Sequence, residues 1–213
     1  YIKFIKFDSF LKKIKLNYFS LFLNIPYFVL NKIYESFIFR SIFKVDRLTA
    51  NDFISHKGLV SFMDQFNKSH FITLDKSKNF LEWRLNMPNK KYNIHLVHNE
   101  VDNIIGCAIT LETIRSNIPV LEIIDIIAVE YIDKTIKSLI FDIRKYSYNL
   151  NVDAIVLMIN PSVFKKYSLK KLGFIKSPYK FLFILRNLTN KISNNILGNE
   201  KNWHITFINY DDQ

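Results

Sequence analysis

The chain has 213 residues, of which 49% are hydrophobic, and it carries a formal net charge of +11 with a sequence pI of about 9.6. This length and composition allow one substantial core and indicate one principal domain. The positive charge favours an acidic partner such as nucleic acid, a membrane surface or an anionic substrate, although an A/T-rich genome would produce the same lysine-rich composition. A single cysteine excludes an internal disulfide framework and is compatible with a reducing cytoplasm.

Residues 1–48 form a basic, aromatic leader or linker, which we predict to be helical. Up to residue 45, eight Lys or Arg residues oppose only Asp8 and Glu35. The apolar run Tyr18–Leu30 is interrupted by polar residues and is shorter than the roughly 20 residues that span a bilayer. We expect the leader to pack as helices on the domain or on a neighbour, with peripheral membrane contact as the alternative. Nucleic-acid binding ranks below both because no recognition module is present.

A short strand within Phe43–Leu48 is predicted to precede two helical stretches, Asn51–Asn67 and Asp75–Asn86. The second helical stretch carries Trp83 and Arg84, which are candidate substrate-binding residues. Trp83 could stack on a sugar, and the alternative is a place in the core. Arg84 could hold a carboxylate or phosphate with two hydrogen bonds, and the alternative is an ion pair with a nearby acid.

The segments Tyr92–His98 and Ile104–Leu111 flank a polar turn and predict an antiparallel hairpin. Cys107 lies in an apolar part of the second strand, so we interpret it as a packing residue rather than a nucleophile. His95 and His98 are three residues apart on the first strand and therefore point to opposite faces. A shared metal site is not expected from them, and no metal is predicted.

A parallel β-α-β unit is predicted from strand Ile118–Val129, helix Asp133–Leu150 and strand Val152–Ile159. The first strand is apolar on both faces, which is typical of a central strand that is covered on both sides. The helix has an apolar stripe with i, i+3, i+4, i+7 spacing, and Asp133 is placed to cap it. The interval between the strands is long enough for a crossover helix.

A short helix follows this unit, with Asn160 as its N-cap, a proline in its first turn and Gly173 as its end. Two late strands are predicted at Tyr179–Arg186 and Trp203–Ile208. Between them, Asn187–Lys201 is rich in Asn and Lys and is predicted to be a mobile loop.

The central strand contains two acidic residues, Glu122 and Asp125. On a regular strand, residues three apart face opposite sides of the sheet, so the two are not expected to form a catalytic pair. Either one could act as a general base toward an amine if its surroundings raise its pKa. The alternative is a structural carboxylate that is hydrogen-bonded or paired with a lysine. No nucleophile elbow, P-loop or dinucleotide-binding glycine motif is present.

The order of these elements resembles the GNAT superfamily of N-acetyltransferases over roughly residues 79–212. More narrowly, it resembles degenerate GNAT-like proteins of bacterial polysaccharide gene clusters. Three short elements carry this second resemblance: Leu-x-Trp-Arg at Leu81–Arg84, Ile-Ile-Asp-Ile at Ile123–Ile126, and Trp-x-x-Thr at Trp203–Thr206, followed by Asp211 and Asp212.

The resemblance implies a mixed α/β (α+β) fold, with a GNAT-like central mixed sheet flanked by helices over residues 49–213. It implies a cytoplasmic enzyme that transfers an acetyl group from acetyl-CoA to a small amine acceptor, such as an amino sugar of a surface polysaccharide. The alternative is a non-catalytic half-domain that binds an acceptor or supports an active upstream domain. The chain begins at Tyr1 rather than methionine, and its opening residues, Tyr1 to Asp8, resemble the tail of an upstream GNAT half. This resemblance implies that the chain is the C-terminal half of such a two-domain protein.

The resemblance also implies roles for individual residues. In GNAT enzymes, strand backbone holds the pantetheine arm and the amino end of the following helix receives the pyrophosphate. The implied coenzyme-binding residues are Ile127, Val129, Asp133, Lys134, Thr135 and Lys137. The implied catalytic residues are Tyr167, as proton donor to the leaving thiolate, and Asp125 or Glu122, as base.

Two departures from the family pattern favour the non-catalytic alternative. The window from Tyr131 to Ile136 contains no glycine, and an acidic residue lies where phosphate would bind. The usual position of the catalytic tyrosine is occupied here by Leu169, and Tyr167 is two residues away, on another face of the predicted helix.

Overall fold

The computed structural model describes residues 1–6, 43–69, 72–73, 75–177 and 192–209. Within this part, eight strands are present: β1 (Ile2–Phe4), β2 (Val45–Thr49), β3 (Ile72–Thr73), β4 (Tyr92–His98), β5 (Ile104–Arg115), β6 (Ile118–Ala128), β7 (Ala154–Leu157) and β8 (Trp203–His204). Six of them form one sheet in the order β1-β7-β6-β5-β4-β2, and β3 and β8 form a separate parallel pair.

The same part of the chain contains six α-helices and two short 3₁₀ turns. The helices are α1 (Ala50–Ile54), α2 (Leu59–Lys68), α3 (Lys78–Leu85), α4 (Ile132–Asn149), α5 (Pro161–Lys166) and α6 (Asn194–Leu197), and the 3₁₀ turns are Glu200–Asn202 and Phe207–Asn209. Helices cover both faces of the sheet. One core contains α4 and α5, and the other contains α1, α2 and α3.

The predicted β-α-β unit is confirmed, because β6 and β7 pair in parallel and α4 connects them. The predicted hairpin of β4 and β5 is confirmed as well. Every other neighbouring pair in the large sheet is antiparallel. The sheet is therefore mixed, and β6 is a central strand, since its residues from Val120 to Ala128 are buried.

Helix α4 packs on the sheet through the predicted apolar stripe. Ile136, Leu139, Ile140 and Ile143 are fully buried, and each such side chain contributes about 1.5–3 kcal/mol of hydrophobic free energy. The capping prediction was wrong, because the N-cap is Tyr131, in the left-handed conformation at φ 45 and ψ 46, and no side chain caps the helix. Asp133 lies in the first turn instead.

Three other elements differ from their predictions. The stretch Asn51–Asn67 forms two helices, because the chain turns between α1 and α2 where the N–H of Gly58 donates to Nδ1 of His56 at 3.1 Å. Trp203–Ile208 is a strand for two residues only and then becomes a 3₁₀ turn. The predicted loop Asn187–Lys201 contains α6 in its described part. The predicted strand Tyr179–Arg186 lies outside the described residues.

The short helix after β7 also ends earlier than expected. Helix α5 stops at Lys166, and the chain then passes through left-handed conformations at Ser168 (φ 51) and Gly173 (φ 88). Asn160 is its N-cap by position, but the Asn160 side chain makes no capping hydrogen bond. Its amide nitrogen donates instead to the carbonyls of Glu200 and Trp203.

Both described ends of the predicted leader contribute to the large sheet, β1 at one edge and the start of β2 at the other. Residues 7–42 lie outside the described part, so the helical leader and the boundary at residue 48 stay predictions. Among the described residues, no helix combines the length and the apolar character that crossing a membrane requires.

Candidate functional site

The sheet opens between β6 and β7. The two strands pair only from Val120 with Ala154 to Ile123 with Leu157, whereas β6 continues to Ala128. Beyond Ile123, β6 therefore has no strand beside it on the β7 side within the described residues. We call this opening the β6–β7 gap.

A β-bulge lies at the point where the gap begins. Ile109 and Leu111 are two residues apart on β5 and therefore share a face. Ile109 pairs with Asp125, and Leu111 pairs with Glu122. Because paired side chains lie on the same face, the extra residue Ile124 brings both acids to the face covered by α1–α3. The expectation that Glu122 and Asp125 face opposite sides is corrected, since the strand is not regular between them.

Both carboxylates are held in ion pairs. Lys76 Nζ lies 2.6 Å from Asp125 Oδ2, and the two side chains are 0% and 2% exposed. Asp125 Oδ1 accepts hydrogen bonds from Thr206 Oγ1 at 2.9 Å and from the Ile126 N–H at 3.0 Å. Glu122 is paired with Arg115, whose Nε lies 2.5 Å from Oε1. These contacts agree with the structural interpretation of both acids.

The backbone of β6 presents Ile126 and Ala128 to the gap. Val129 N–H donates to the Ile105 carbonyl on β5, and Ile127 pairs with Cys107. Since backbone polar groups alternate in direction along a strand, the groups of Ile127 and Val129 face β5 and those between them face the gap.

His204 contacts one of the backbone groups that face the gap. Its Nε2 lies 3.2 Å from the carbonyl oxygen of Ile126, so Nε2 carries the proton and donates. The His204 ring packs edge-on against Phe66, at 5.0 Å between centroids, and 6.3 Å from the ring of Tyr167.

Tyr167 brings a hydroxyl to the same place. Because α5 ends at Lys166, the side chain of Tyr167 turns into the core, where it is 1% exposed. Burial raises the pKa of the Tyr167 phenol far above its usual value, against a smaller opposing effect of the Ala128 N–H. In the described part of the chain, Tyr167 Oη has no hydrogen-bond partner of good geometry. Leu169, at the family's usual tyrosine position, is buried in the core.

The amino end of α4 contains no glycine, and no side chain caps it. Asp133 and Lys134 are exposed and Lys137 is half-buried. Thr135 is buried, and its hydroxyl donates to the Glu130 carbonyl at 2.8 Å. Acetyl-CoA would therefore meet side-chain cations and one opposing carboxylate there, rather than a glycine cradle.

The two candidate substrate residues on α3 point apart. Trp83 is 60% exposed, which contradicts a place in the core, and its ring centroid lies 5.8 Å from that of Phe80. Arg84 is buried, with Nη1 3.2 Å from the sulfur of Met87. The structure does not bring both side chains to one surface.

Other reactive side chains have structural surroundings. Cys107 is buried, and burial raises the pKa of its thiol. His95 Nδ1 lies 2.7 Å from Asp142, whereas His98 lies beside Asp46 at 3.5 Å. Among the described residues, no three His, Cys, Asp or Glu side chains gather as metal ligands do.

Sequence reasoning missed Lys76 and His204. Nothing near Lys76 in the sequence marks it as the partner of an acid in a strand 49 residues away. A signal for His204 was available, because it lies inside the Trp-x-x-Thr element. That element contacts the Ile-Ile-Asp-Ile element directly, through Thr206 on Asp125 and His204 on Ile126.

No protein-family model matches this chain, and no curated protein matches it. Solved structures do. A Bacillus halodurans protein aligns over 67% of this chain and 99% of its own length, with 16% identity and a TM-score of 0.51. An aminoglycoside acetyltransferase from an uncultured soil metagenomic sample, in complex with sisomicin, aligns over 68% and 96%, with 14% identity and a TM-score of 0.48. A probable N-acyltransferase from Enterococcus faecalis shares 18% identity at a TM-score of 0.41.

The last alignment covers 55% of this chain and 27% of the Enterococcus faecalis chain, so this chain spans about a quarter of that protein. At these identities, the likeness concerns the fold alone. The Bacillus halodurans structure supports the predicted fold class, a mixed α/β fold with a central mixed sheet flanked by helices.

Proposed function

We propose that this chain is an acyl-CoA-dependent N-acyltransferase that transfers an acetyl group to an amine. The observation that supports this most is the Tyr167 hydroxyl, buried at the β6–β7 gap beside the outward backbone of Ala128. A buried polar group that lacks a hydrogen bond costs free energy of folding, so its presence calls for a role. A thioester sulfur placed in the gap would supply the missing partner.

In the proposed reaction, the amine nitrogen attacks the thioester carbonyl carbon, a C–N bond forms and the C–S bond breaks. Burial raises the pKa of Tyr167, so the phenol stays protonated at neutral pH and donates a hydrogen bond to the departing thiolate. The proton that the amine loses balances the one that the thiolate gains. The products are an amide and the free thiol of coenzyme A.

In this proposal, the pantetheine arm of acetyl-CoA runs along β6 and bonds to the backbone groups of Ala128, which face the β6–β7 gap. Ile127 and Val129 then flank it without offering their own N–H groups, because these bond to β5. Lys134 and Lys137 remain the proposed cations near the amino end of α4. Since Asp125 and Glu122 are held in ion pairs, we propose that they shape the bulge and that the amine proton leaves through water.

The acceptor class follows from the resemblance rather than from a contact in the gap. Amino sugars are the first acceptors to test, and the exposed ring of Trp83 is a surface on which a sugar could stack.

The test combines acetyl-CoA binding with turnover in wild type and Tyr167→Phe. Calorimetry should show binding to both proteins, whereas release of free thiol with an amino-sugar panel should fall about 10²-fold or more in the variant. Folding stability should be unchanged or higher, because the change removes only a buried hydroxyl that has no hydrogen-bond partner among the described residues. Tyr92→Phe is the control, since Tyr92 is also buried but lies on β4, two strands away from β6.

Two results would contradict the proposal. A folded wild-type protein that binds no acetyl-CoA would favour the non-catalytic half-domain. Turnover that survives Tyr167→Phe unchanged would remove Tyr167 from the mechanism while leaving the fold assignment intact.

A further inference from the structure

A second cleft lies at the carboxyl ends of β6 and β7. Its volume is about 540 Å³, which is within the range of small-molecule sites. Helix α5 and the 3₁₀ turn Glu200–Asn202 form its walls, and its lining includes Lys165, Lys166, Lys201 and Trp203. We call it the lysine cleft.

Three lysines give the lysine cleft a positive charge. Within the part of the chain that the structure describes, none of its three lysines takes part in an ion pair. Burial lowers the pKa of Lys166, as expected of a cation that is partly withdrawn from water. Three ammonium groups around one concave surface favour an anion with several oxygens.

The walls of the lysine cleft are fixed to each other by Asn160. Its Nδ2 donates to the carbonyl of Trp203 at 3.0 Å and to that of Glu200 at 3.2 Å, and its Oδ1 accepts from the Ile205 N–H at 3.1 Å. Ser162 Oγ donates to the same Glu200 carbonyl at 3.0 Å. The backbone that carries the lysines is therefore positioned before a ligand arrives, which lowers the cost of binding.

The lysine cleft adjoins the β6–β7 gap. Lys166 and Trp203 line the cleft, and the next residue of each segment, Tyr167 and His204, turns inward beside β6. A ligand in the cleft would thus lie one layer of side chains away from the proposed reaction centre.

We propose that the lysine cleft binds the phosphate groups of a small-molecule ligand. Phosphate oxygens accept hydrogen bonds from ammonium groups, which the three lysines of the lining supply. Two sources share this chemistry, the phosphates of coenzyme A and those of a phosphorylated acceptor. The choice of these two ligands rests on the proposed acyl transfer, whereas phosphate binding by the cleft does not.

The experiment measures binding by calorimetry at low ionic strength, with inorganic pyrophosphate, uridine diphosphate, coenzyme A and dephospho-coenzyme A as probes. The variant is Lys165→Glu/Lys201→Glu, in which both residues are exposed, so folding should be kept. Lys90→Glu/Lys91→Glu is the matched control, because these exposed lysines precede β4, which lies two strands away from β6, and the change in net charge is equal. Circular dichroism and thermal midpoints verify the fold.

We expect the cleft variant to weaken phosphate binding about tenfold for each reversed lysine, and the control to leave it unchanged. Loss confined to coenzyme A and dephospho-coenzyme A assigns the cleft to the acyl donor. Loss confined to pyrophosphate and uridine diphosphate assigns it to the acceptor. Equal affinities of variant and wild type for all four probes, or binding to none, would overturn the inference. Coenzyme A distinguishes the two failures. Binding that is kept and is equal in variant and wild type overturns the cleft inference alone, whereas a folded wild type that binds no coenzyme A contradicts acyl transfer as well.

Discussion

The ion pair between Lys76 and Asp125 gives the sharpest prediction about stability. Replacing Lys76 by Met leaves a carboxylate that is 2% exposed without its cation, although the hydrogen bonds from Thr206 and the Ile126 N–H remain. Removing one partner of a buried pair costs about 3–5 kcal/mol. We therefore expect Lys76→Met to lower the free energy of unfolding by about that amount, measured by equilibrium urea denaturation.

A double-mutant cycle separates the pair from simple loss of packing. Because Asn carries no charge that needs a partner, Lys76→Met/Asp125→Asn should be more stable than the sum of the single losses predicts, by about 1–3 kcal/mol. Lys44→Met is the control, since Lys44 pairs with Asp46 in an exposed position and its loss should not be measurable. Additive single effects, or a loss of less than about 1 kcal/mol for Lys76→Met, would refute the reasoning.

Two further predictions concern the packing of α4 on the sheet. Burial would raise the pKa of Asp142, but hydrogen bonds from His95 and Arg47 outweigh it and lower the pKa from 3.8 to about 2. The Asp142 carboxylate should therefore stabilise the folded protein above pH 3.8, and this stabilisation, about 1 kcal/mol after solvent screening, should be lost as the pH falls toward 2. Urea midpoints measure it, and the same acid dependence in Asp142→Asn would contradict the assignment. Gly106→Ala would place a methyl group 2.2 Å from Thr135 Cγ2 and should cost about 1–3 kcal/mol. Adding Thr135→Ser removes that contact while keeping the hydroxyl, so thermal melts without any rescue would exclude the proposed clash.

Periodicity in the sequence predicted the centre of the fold well. The stripe of α4 and the continuous apolar runs of β6 and β7 are strong local signals, because each element must bury its apolar surface on the sheet. The hairpin of β4 and β5 was equally predictable from the sequence, since a polar turn separates two strand-forming segments.

The details of the candidate site could not be obtained in the same way. The bulge at Ile124 lies within an apolar run, where a change in side-chain alternation leaves no mark in the pattern. Helix α5 ends early, shortly before Ser168, which adopts a left-handed conformation. Because this residue is a serine rather than a glycine, the sequence did not indicate the end of the helix. Long-range partners such as Lys76 and Asp125 are joined by tertiary packing, which a single sequence does not encode locally.

The glycine-free start of α4 and the lysine cleft can be understood together. At the amino end of α4, Tyr131 adopts a left-handed conformation that glycine would adopt without strain, and Asp133 adds negative charge in the first turn. Helix α5 follows the neighbouring strand β7, and its last turn carries Lys165 and Lys166, which form no ion pair among the described residues. If phosphates bind at either helix, electrostatics favours the lysine cleft over the start of α4. Lys134→Glu should then weaken coenzyme A binding less than Lys165→Glu does, and the reverse order would place the phosphates at α4.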